Sequence, residues 1–340
     1  MTKYTLPPLR PEVVVCPNSA CDAIGRIGVH SHTERRYICH GCKRTFADTT
    51  GTMLYGLKHP LWLVLVVLNL LAFGCPIPAL VATFDLDERT VADWQSKAGR
   101  HARQVQETVV CHGQLDVGQV QADELYTKTQ AGPVWIATAM TVFSRLWLWG
   151  TISWDRDTAL VEPVIAQVRA AAQIGKPILF AVDGFKAYVS CILKVFRDPQ
   201  RTGKRGRPPL KVWDDLHIVQ VVKQRVGRRL KGITRRVAHG SLTRAEAIMQ
   251  ATQVELGRVN TAYIERLNAT LRTWMPALVR RTRTPSGARD HLEAALFWTG
   301  CVYNFCHGHA TLAGTPAMAA DLTDHVWSID ELIRFRCQRE

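Results

Sequence analysis

Four strand-length apolar segments and one helical segment follow one another in the middle of the chain, and this succession restricts the fold more than any other feature. Residues 117–125, 134–142 and 146–152 are rich in apolar and aromatic residues, and polar turn residues separate them. Residues 158–173 then carry apolar side chains at helical spacing, and 177–182 form a short apolar run suited to a buried strand. Three strands in succession predict an antiparallel meander, so we expect a mixed α/β sheet with flanking helices.

Two carboxylates occur in these strand settings, and a third occurs on a predicted helix. Asp123 lies in the first strand, and Asp183 directly follows the fourth. Glu265 is followed by Asn268 and Arg272 at offsets of three and seven residues, which return to nearly the same helix face. Carboxylates bind divalent metals, and an arginine one turn further on can bind a phosphate. The pattern predicts a two-metal site for phosphoryl transfer, with the amide and the guanidinium positioning phosphates.

Each acid also has a plainer interpretation. Glu124 competes with its neighbour Asp123, and we interpret it as a supporting or surface group. Asp183 precedes a glycine and could be a turn residue. Asp214 and Asp215 are a rival acidic pair, although their more polar setting fits a loop better than the end of a strand.

The positive charge of the chain is concentrated in one stretch. The formal net charge is +14, and residues 197–283 alone contain 20 Lys/Arg and 6 Asp/Glu, a surplus of 14. Such a block predicts a surface that binds a polyanion, most often nucleic acid, and a solvated basic surface is the alternative. Arg280, Arg281 and Arg283 form a second basic patch directly after the predicted acidic helix.

Two cysteine pairs near the N-terminus have the spacing of a zinc site. Four residues separate Cys16 from Cys21, two separate Cys39 from Cys42, and seventeen lie between the pairs. Two such knuckles supply four thiolates for one tetrahedral zinc ion in a small zinc ribbon. His40 is then a neighbour of the metal and not a ligand. The alternative is four free buried cysteines. The N-terminus lacks the apolar run of a signal peptide, which favours a reducing cytosol.

A helical segment follows the cysteine pairs. The apolar run 61–73 has thirteen residues, whereas a membrane span needs about 20, so we expect a buried helix and no membrane association. Residues 77–84 and 88–97 predict two helices joined by a short turn, the arrangement of a helix-turn-helix. The second helix would present Arg89, Gln95 and Lys97 to DNA; an ordinary helical linker domain is the alternative.

These segments resemble a known family. Residues 37–52, which contain the second cysteine pair, resemble the N-terminal zinc-binding segment of bacterial insertion-sequence transposases. Residues 263–272, with the arginine patch beyond them, resemble the acidic-helix segment of the DDE catalytic domain of those enzymes. Asp123-Glu124 and Asp183-Gly184 fit the first two acids of that motif. The resemblance covers about residues 16–307.

The resemblance implies a ribonuclease-H-like core that cuts transposon ends and joins them to target DNA. It implies that Asp123, Asp183 and Glu265 hold two Mg²⁺ (or Mn²⁺) ions, and that the zinc is structural. The 82 residues from the second acid to the third are more than many DDE enzymes have, so we expect a basic insertion at about 197–253 to be looped out.

We therefore predict a multi-domain α/β chain. Its parts would be a zinc-ribbon-like segment at 1–55, a helix-turn-helix domain at 56–110, the catalytic domain at 115–310 and a tail at 311–340. The expected partners are double-stranded DNA and further copies of the chain, in the bacterial cytoplasm at the nucleoid. One alternative is a DNA-binding regulator with an inactive C-terminal domain, which would need no acid triad. Another is a structure-specific nuclease or resolvase, which would cleave without strand transfer.

Overall fold

A six-stranded mixed sheet forms the centre of the chain. The structure, a computed structural model, describes residues 8–337 except 19, 22–25, 202, 204–205, 228, 253–256, 280–281 and 283–284. The sheet strands are β4 (Gln119–Thr129), β5 (Gly132–Thr141), β6 (Trp147–Ser153), β7 (Ile178–Val182), β10 (Leu216–Val226) and β11 (Arg229–His239). Their spatial order is β11-β10-β7-β4-β5-β6. The meander β4-β5-β6 is antiparallel, while β7 is parallel to both β4 and β10.

The sheet confirms the predicted mixed α/β architecture. The strands β4 to β7 lie close to the segments expected from the apolar runs. The strand β11 adds an antiparallel edge beside β10.

Helices cover both faces of the sheet. They are α4 (Thr158–Ala171), α5 (Lys186–Val195), α6 (Leu242–Ala251), α7 (Ala262–Trp274) and α8 (Arg289–Cys301), the last continuing as a π-helical turn, Val302–Cys306. Alternate residues of β7 separate the two faces. Phe180 packs against Phe196 at the end of α5, whereas Leu179 and Ala181 share a cluster with residues of α6. The helix α7 lies on the α6 face, over β4 and β5.

A small three-stranded sheet holds the four cysteines. Its strands are β1 (Ile27–Ser31), β2 (Arg36–Cys39) and β3 (Thr45–Ala47), in the order β1-β2-β3 and antiparallel throughout. Val14, Tyr37 and Phe46 form a separate hydrophobic cluster beside the cysteines. The cysteine segment therefore has its own small core.

Three helices connect this segment to the large sheet: α1 (Leu61–Ala72), α2 (Ile77–Phe84) and α3 (Glu88–Val109). The expected turn between α2 and α3 is present, and Asp87 caps α3 by accepting a hydrogen bond from the Arg89 backbone N–H at 2.7 Å. α3 packs tightly along α8, because a Cβ at Gly99 would lie 2.2 Å from the carbonyl oxygen of Ala294. The buried residues of α1 and α3 belong to the same core as the large sheet.

The length and apolar character of the helices decide whether any of them could cross a membrane. α1, the most apolar one, has only twelve residues. Throughout the described part of the chain, no helix combines the length and the apolar character that crossing a membrane requires.

The stretch 197–253 differs from the looped-out insertion that we expected. A short hairpin, β8 (Arg197–Pro199) with β9 (Leu210–Val212), opens it, but β10 and β11 then enter the central sheet, and α6 covers them. The physical reason lies in the apolar residues between the cations. Ile218, Val219 and Val221 are buried, so the first half of β10 belongs to the core.

The tail 311–340 also makes structural contacts. Its helices α9 (Pro316–Ala319) and α10 (Ile329–Arg334) pack on the core. Arg336 then donates to the backbone carbonyls of Asp48 and Thr50 and stacks over Tyr37 in the cysteine segment. The tail therefore ties the first segment of the chain to the central core.

Candidate functional site

Three carboxylates meet at one end of the central sheet. Single oxygen atoms of Asp123, Glu124 and Asp183 all lie within 4.8 Å of one another. β4 and β7 are parallel neighbours, and Ala122 pairs with Val182. The next residue on each strand is one of the predicted acids, so the pairing brings Asp123 beside Asp183.

Glu124 joins the cluster from the opposite face of the sheet. Successive residues of a strand point to opposite faces. Asp123 therefore points toward α7, where it accepts a hydrogen bond from Asn268 Nδ2 at 3.0 Å. Glu124 points toward the other face, where Arg156 Nη2 donates to it at 3.0 Å. Asp183 lies just past the end of its strand and reaches both neighbours. Sequence reasoning set Glu124 aside, although its place beside Asp123 was the available signal.

Two of the three carboxylates have raised pKa values. Burial raises the pKa of Asp123, and the charge of Asp183 raises it further. Burial, followed by the charge of Asp183, raises the pKa of Glu124 to about 7. A nearby cation stabilises the charged form of such carboxylates more than it stabilises that of solvated ones.

Arg156 supplies part of that positive charge. Its guanidinium donates to Glu124 and, at 3.3 Å, to Asp183. The same group lies 4.2 Å from the ring centre of Phe185 and 5.3 Å from that of Trp135, so two aromatic faces hold it in place. Residue 156 comes from the loop between β6 and α4, and no sequence pattern marked it.

Two buried oxygen atoms at the cluster have no hydrogen-bond partner within the described residues. They are Oε1 of Glu124 and the hydroxyl of Tyr188. Tyr188 is fully buried, and its pKa is raised first by burial and then by the charges of Glu124, Asp123 and Asp183. An unpaired buried oxygen is costly, so both atoms favour a further ligand at this place.

The donor set fits a hard divalent cation. Mg²⁺ prefers carboxylate oxygens, and its ligand oxygens lie about 3.0–4.2 Å apart when the metal–oxygen bonds are about 2.1 Å. The three oxygen atoms of the cluster lie within 4.8 Å of one another, which is close to that range. Asp183 also has the turn role considered above, since its Oδ1 accepts from the Phe185 backbone N–H at 2.8 Å.

The helix α7 is fixed to the sheet beside the acids. Asn268 is buried, and Thr138 on β5 donates to its Oδ1 at 3.0 Å, which aims its amide N–H at Asp123. Gln121 on β4 accepts from the backbone N–H groups of Tyr263 and Ile264 at 3.0 and 2.9 Å. This buried glutamine therefore caps the first turn of α7 from outside the helix. Nothing in the local sequence indicated that role.

Glu265, the third predicted acid, belongs to the first turn of α7 but not to the group of three. Its Oε1 accepts from Thr261 Oγ1 at 2.7 Å and from the ammonium of Lys223 on β10. Its charge nevertheless contributes to raising the pKa of Asp123. Arg272 is half-buried two turns further along α7.

The other predicted site residues have different fates. Arg280, Arg281 and Arg283 lie outside the described residues. The rival acids lie near the start of β10, at the opposite end of the sheet from the cluster. There Asp215 accepts from Arg244 and His217, and Lys211 pairs with Asp214 at 2.8 Å. These pairs account for both acids without a metal.

The four cysteine sulfur atoms form a second candidate metal site. They all lie within 4.8 Å of one another, with Cys16 Sγ 3.6 Å from Cys42 Sγ and Cys21 Sγ 3.7 Å from Cys39 Sγ. A tetrahedral zinc ion with bonds of about 2.3 Å places its sulfur ligands about 3.8 Å apart. These separations fit zinc and are too long for a disulfide bond. The exposed His40 is not part of the group.

The thiols differ in their proton affinity. The backbone N–H of Arg44 lowers the pKa of Cys42 to about 6, whereas burial raises the pKa of Cys16 to about 12. Binding a metal requires thiolates, so loading this site releases protons from the cysteines that remain protonated.

The predicted DNA-reading helix is only partly exposed. Arg89 is exposed, but it lines, together with Gln95, a cleft of about 720 Å³ between α3 and the segment that follows α7. Lys97 pairs with Asp93 at 2.8 Å. The first turns of α3 therefore face a cleft within the protein as well as solvent.

Comparison with known proteins adds no relative. No protein-family model matches the chain, and a search of curated proteins finds no match. The geometry of the acidic cluster and of the four cysteines is therefore the basis for assigning a function.

Proposed function

We propose that this protein is a DNA transposase of the insertion-sequence type, which hydrolyses phosphodiester bonds at the ends of an element and joins them to target DNA. The observation that carries the proposal is the meeting of Asp123, which lies in β4, with Asp183, which lies just past the end of the parallel neighbour β7, beside the helix that bears Glu265. Half-buried carboxylates next to a strongly basic stretch suit metal-dependent chemistry on a polyanion.

In this proposal Asp123, Asp183 and Glu265 hold two Mg²⁺ or Mn²⁺ ions, and Glu124 adds a fourth carboxylate to the set. Such ions activate a water or a 3′-hydroxyl for attack on phosphorus and stabilise the leaving oxygen. The chain itself supplies orientation. Asn268 holds one carboxylate of the set at a fixed angle, and Arg272 lies on the same helix to bind a phosphate.

Duplex DNA is the proposed partner, both as element ends and as target. Phosphate contacts would come from the basic stretch 197–283, including Arg280, Arg281 and Arg283. Base contacts are proposed for the α2–α3 unit and the zinc segment. Because two element ends must be brought together, we also propose that the active form is a homo-oligomer in the cytoplasm, at the nucleoid.

The test is Mg²⁺-dependent nicking and strand transfer on DNA that carries the flanking ends of this gene's own locus. We expect activity in the wild type and its loss in Glu265→Gln, which keeps the size of the side chain and removes its charge. Glu162→Gln is the matched control, because Glu162 lies on the surface, where it pairs with Lys194 at 2.7 Å.

Each outcome separates the candidate functions. Cutting without strand transfer would favour a nuclease or resolvase, and DNA binding without cutting would favour a regulator with an inactive domain. Equal cutting by the wild type and by Glu265→Gln would show that Glu265 is not a metal ligand.

A further inference from the structure

The strands β10 and β11 form a two-stranded ribbon that continues past the acidic end of the central sheet. The pairing of β10 with β7 stops at Gln220 and Val182. The pairing of β10 with β11 runs on as far as Val226 and Arg229. The six residues beyond Gln220, at about 3.4 Å each, carry the ribbon about 20 Å past the end of β7. Asp183 directly follows that end, so the ribbon projects from the edge where the acids meet.

The ribbon carries positive charge only. Its 24 residues, 216–239, contain seven Lys/Arg and no Asp/Glu. Two of the cations are engaged within the protein. Lys223 pairs with Glu265, and Arg235 Nε donates to the backbone carbonyl of Val259 at 2.6 Å. These two contacts hold the base of the ribbon beside the N-terminal turn of α7.

The outer part of the ribbon carries exposed cations. Arg229, Lys231 and Arg236 are all exposed. Within the described residues they take part in no ion pair. Near them, Val226 and Leu230 expose 62% and 52% of their surface at the end of the hairpin.

We infer that this ribbon binds duplex DNA directly beside the acidic site; the inference rests on the proposed function and names the surface that holds its substrate. A two-stranded β-ribbon fits the major groove. Its length of about 20 Å spans about six base pairs at about 3.4 Å each. The ribbon therefore contacts the DNA within about half a helical turn of the phosphate at the acids. Its cations bind phosphates, and its apolar tip faces sugars and base edges.

A second copy of the chain is the competing occupant. β11 is the edge strand of the sheet, and an exposed edge can pair with the same edge of another copy. Such pairing would bring the cations of two β11 strands close together, and residues 229–239 contain no acid to offset them. Like charges directly opposite each other on paired strands are destabilising, whereas DNA phosphates neutralise them. The charge of the ribbon favours DNA.

The experiment compares two triple variants that each remove three positive charges. The ribbon variant is Arg229→Gln, Lys231→Gln and Arg236→Gln. The control variant carries Lys176→Gln, Lys194→Gln and Arg289→Gln, at three exposed cations that pair with carboxylates and lie outside the basic stretch 197–283. The probes are a duplex of about 40 base pairs with the flanking end of the gene's locus and a random duplex of equal length. Binding is measured over a range of salt concentrations.

We expect the slope of log K against log salt to fall by about 2–3 for the ribbon variant and by less than about 1 for the control. Hydroxyl-radical footprints should lose protection within about six base pairs of the cut site in the ribbon variant alone. If the triple variant does not fold, the single change Arg229→Gln, near the exposed tip, should still lower the slope by about 1.

Equal slopes for the two triple variants would overturn the inference. So would a ribbon variant with an unchanged slope and an altered oligomeric state, which would assign the ribbon to a second copy. If the wild type cuts DNA but the ribbon variant has the same salt slope as the wild type, the role of the ribbon is refuted and the proposed function is not. If DNA binding depends on the ribbon but the wild type does not cut, DNA binding by the ribbon is supported and the transposase activity is refuted. A wild type that binds neither duplex overturns both.

Discussion

Replacing Glu124 by glutamine should stabilise the Mg²⁺-free protein at alkaline pH. The side chain is only 2% exposed, and burial with the charge of Asp183 raises its pKa from 4.5 to about 7. At a pH above both values, that difference corresponds to about 3 kcal/mol of lost stability. Glutamine has nearly the same shape and no charge to desolvate, so we expect Glu124→Gln to recover up to about 3 kcal/mol.

The pH dependence follows from the direction of the change. Because the folded-state pKa is raised, the favourable contribution of Glu124 is complete below pH 4.5 and is lost as the pH rises to about 7. The variant should therefore match the wild type near pH 4.5 and exceed it increasingly up to about pH 7. Urea unfolding with zinc present and Mg²⁺ omitted should show a midpoint difference of about 1 M at pH 8.

Adding Mg²⁺ provides the opposite test on the same two proteins. It should raise the urea midpoint of the wild type at pH 8 and raise that of Glu124→Gln much less, because the variant has lost one carboxylate. Glu162→Gln, on the surface, should change stability by less than about 0.5 kcal/mol at any pH. The reasoning is refuted if Glu124→Gln is less stable than the wild type at pH 8 without Mg²⁺, or if their difference does not vary with pH.

Three further perturbations test the rest of the site. Arg156→Gln removes the cation that bonds two of the acids, so at pH 8.5 calorimetry should show Mn²⁺ binding tightened by about tenfold, and unchanged affinity would contradict this. Gln121→Leu leaves the first turn of α7 without its cap and should lower the free energy of unfolding by about 1–3 kcal/mol, measured by urea denaturation; a neutral effect would show that water replaces the cap. Cys42→Ser should lower the zinc content measured by atomic absorption and make residues 8–55 sensitive to protease, while full zinc content in the variant would exclude a four-cysteine site.

Much of the fold was predictable because its signals are local. Apolar runs of strand length, a helical period and turn residues depend only on near neighbours, and the strands β4 to β7 lie close to where those signals placed them. The stretch 197–253 was harder to predict because its charge masked its strands. The many cations suggested a loop, while the buried apolar residues of β10 decided its place in the sheet.

The acidic site was partly predictable for the same reason. Asp183 lies just past the end of β7, Asp123 lies in β4 beside that end, and the parallel pairing of β4 with β7 brings them together as expected. Glu124 was interpreted as a supporting or surface group, and in the structure it points to the face of the sheet opposite to that of Asp123. Asp183 lies just past the end of β7, and from there its carboxylate can reach residues on both faces of the sheet. Arg156 comes from the loop between β6 and α4, and Tyr188 comes from α5, and the pattern of the acids did not mark either residue.

By itself the sequence determined the strands and helices, the two pairs of cysteines and the concentration of positive charge, because each depends on residue type and short spacing. Only the tertiary structure decided which distant residues share the acidic site and which surface extends from it. Gln121 caps α7 from β4, Lys223 holds Glu265 from β10, and Arg336 ties the tail to the cysteine segment. Such contacts join residues separated by tens to hundreds of positions, and the packing of the whole chain sets them.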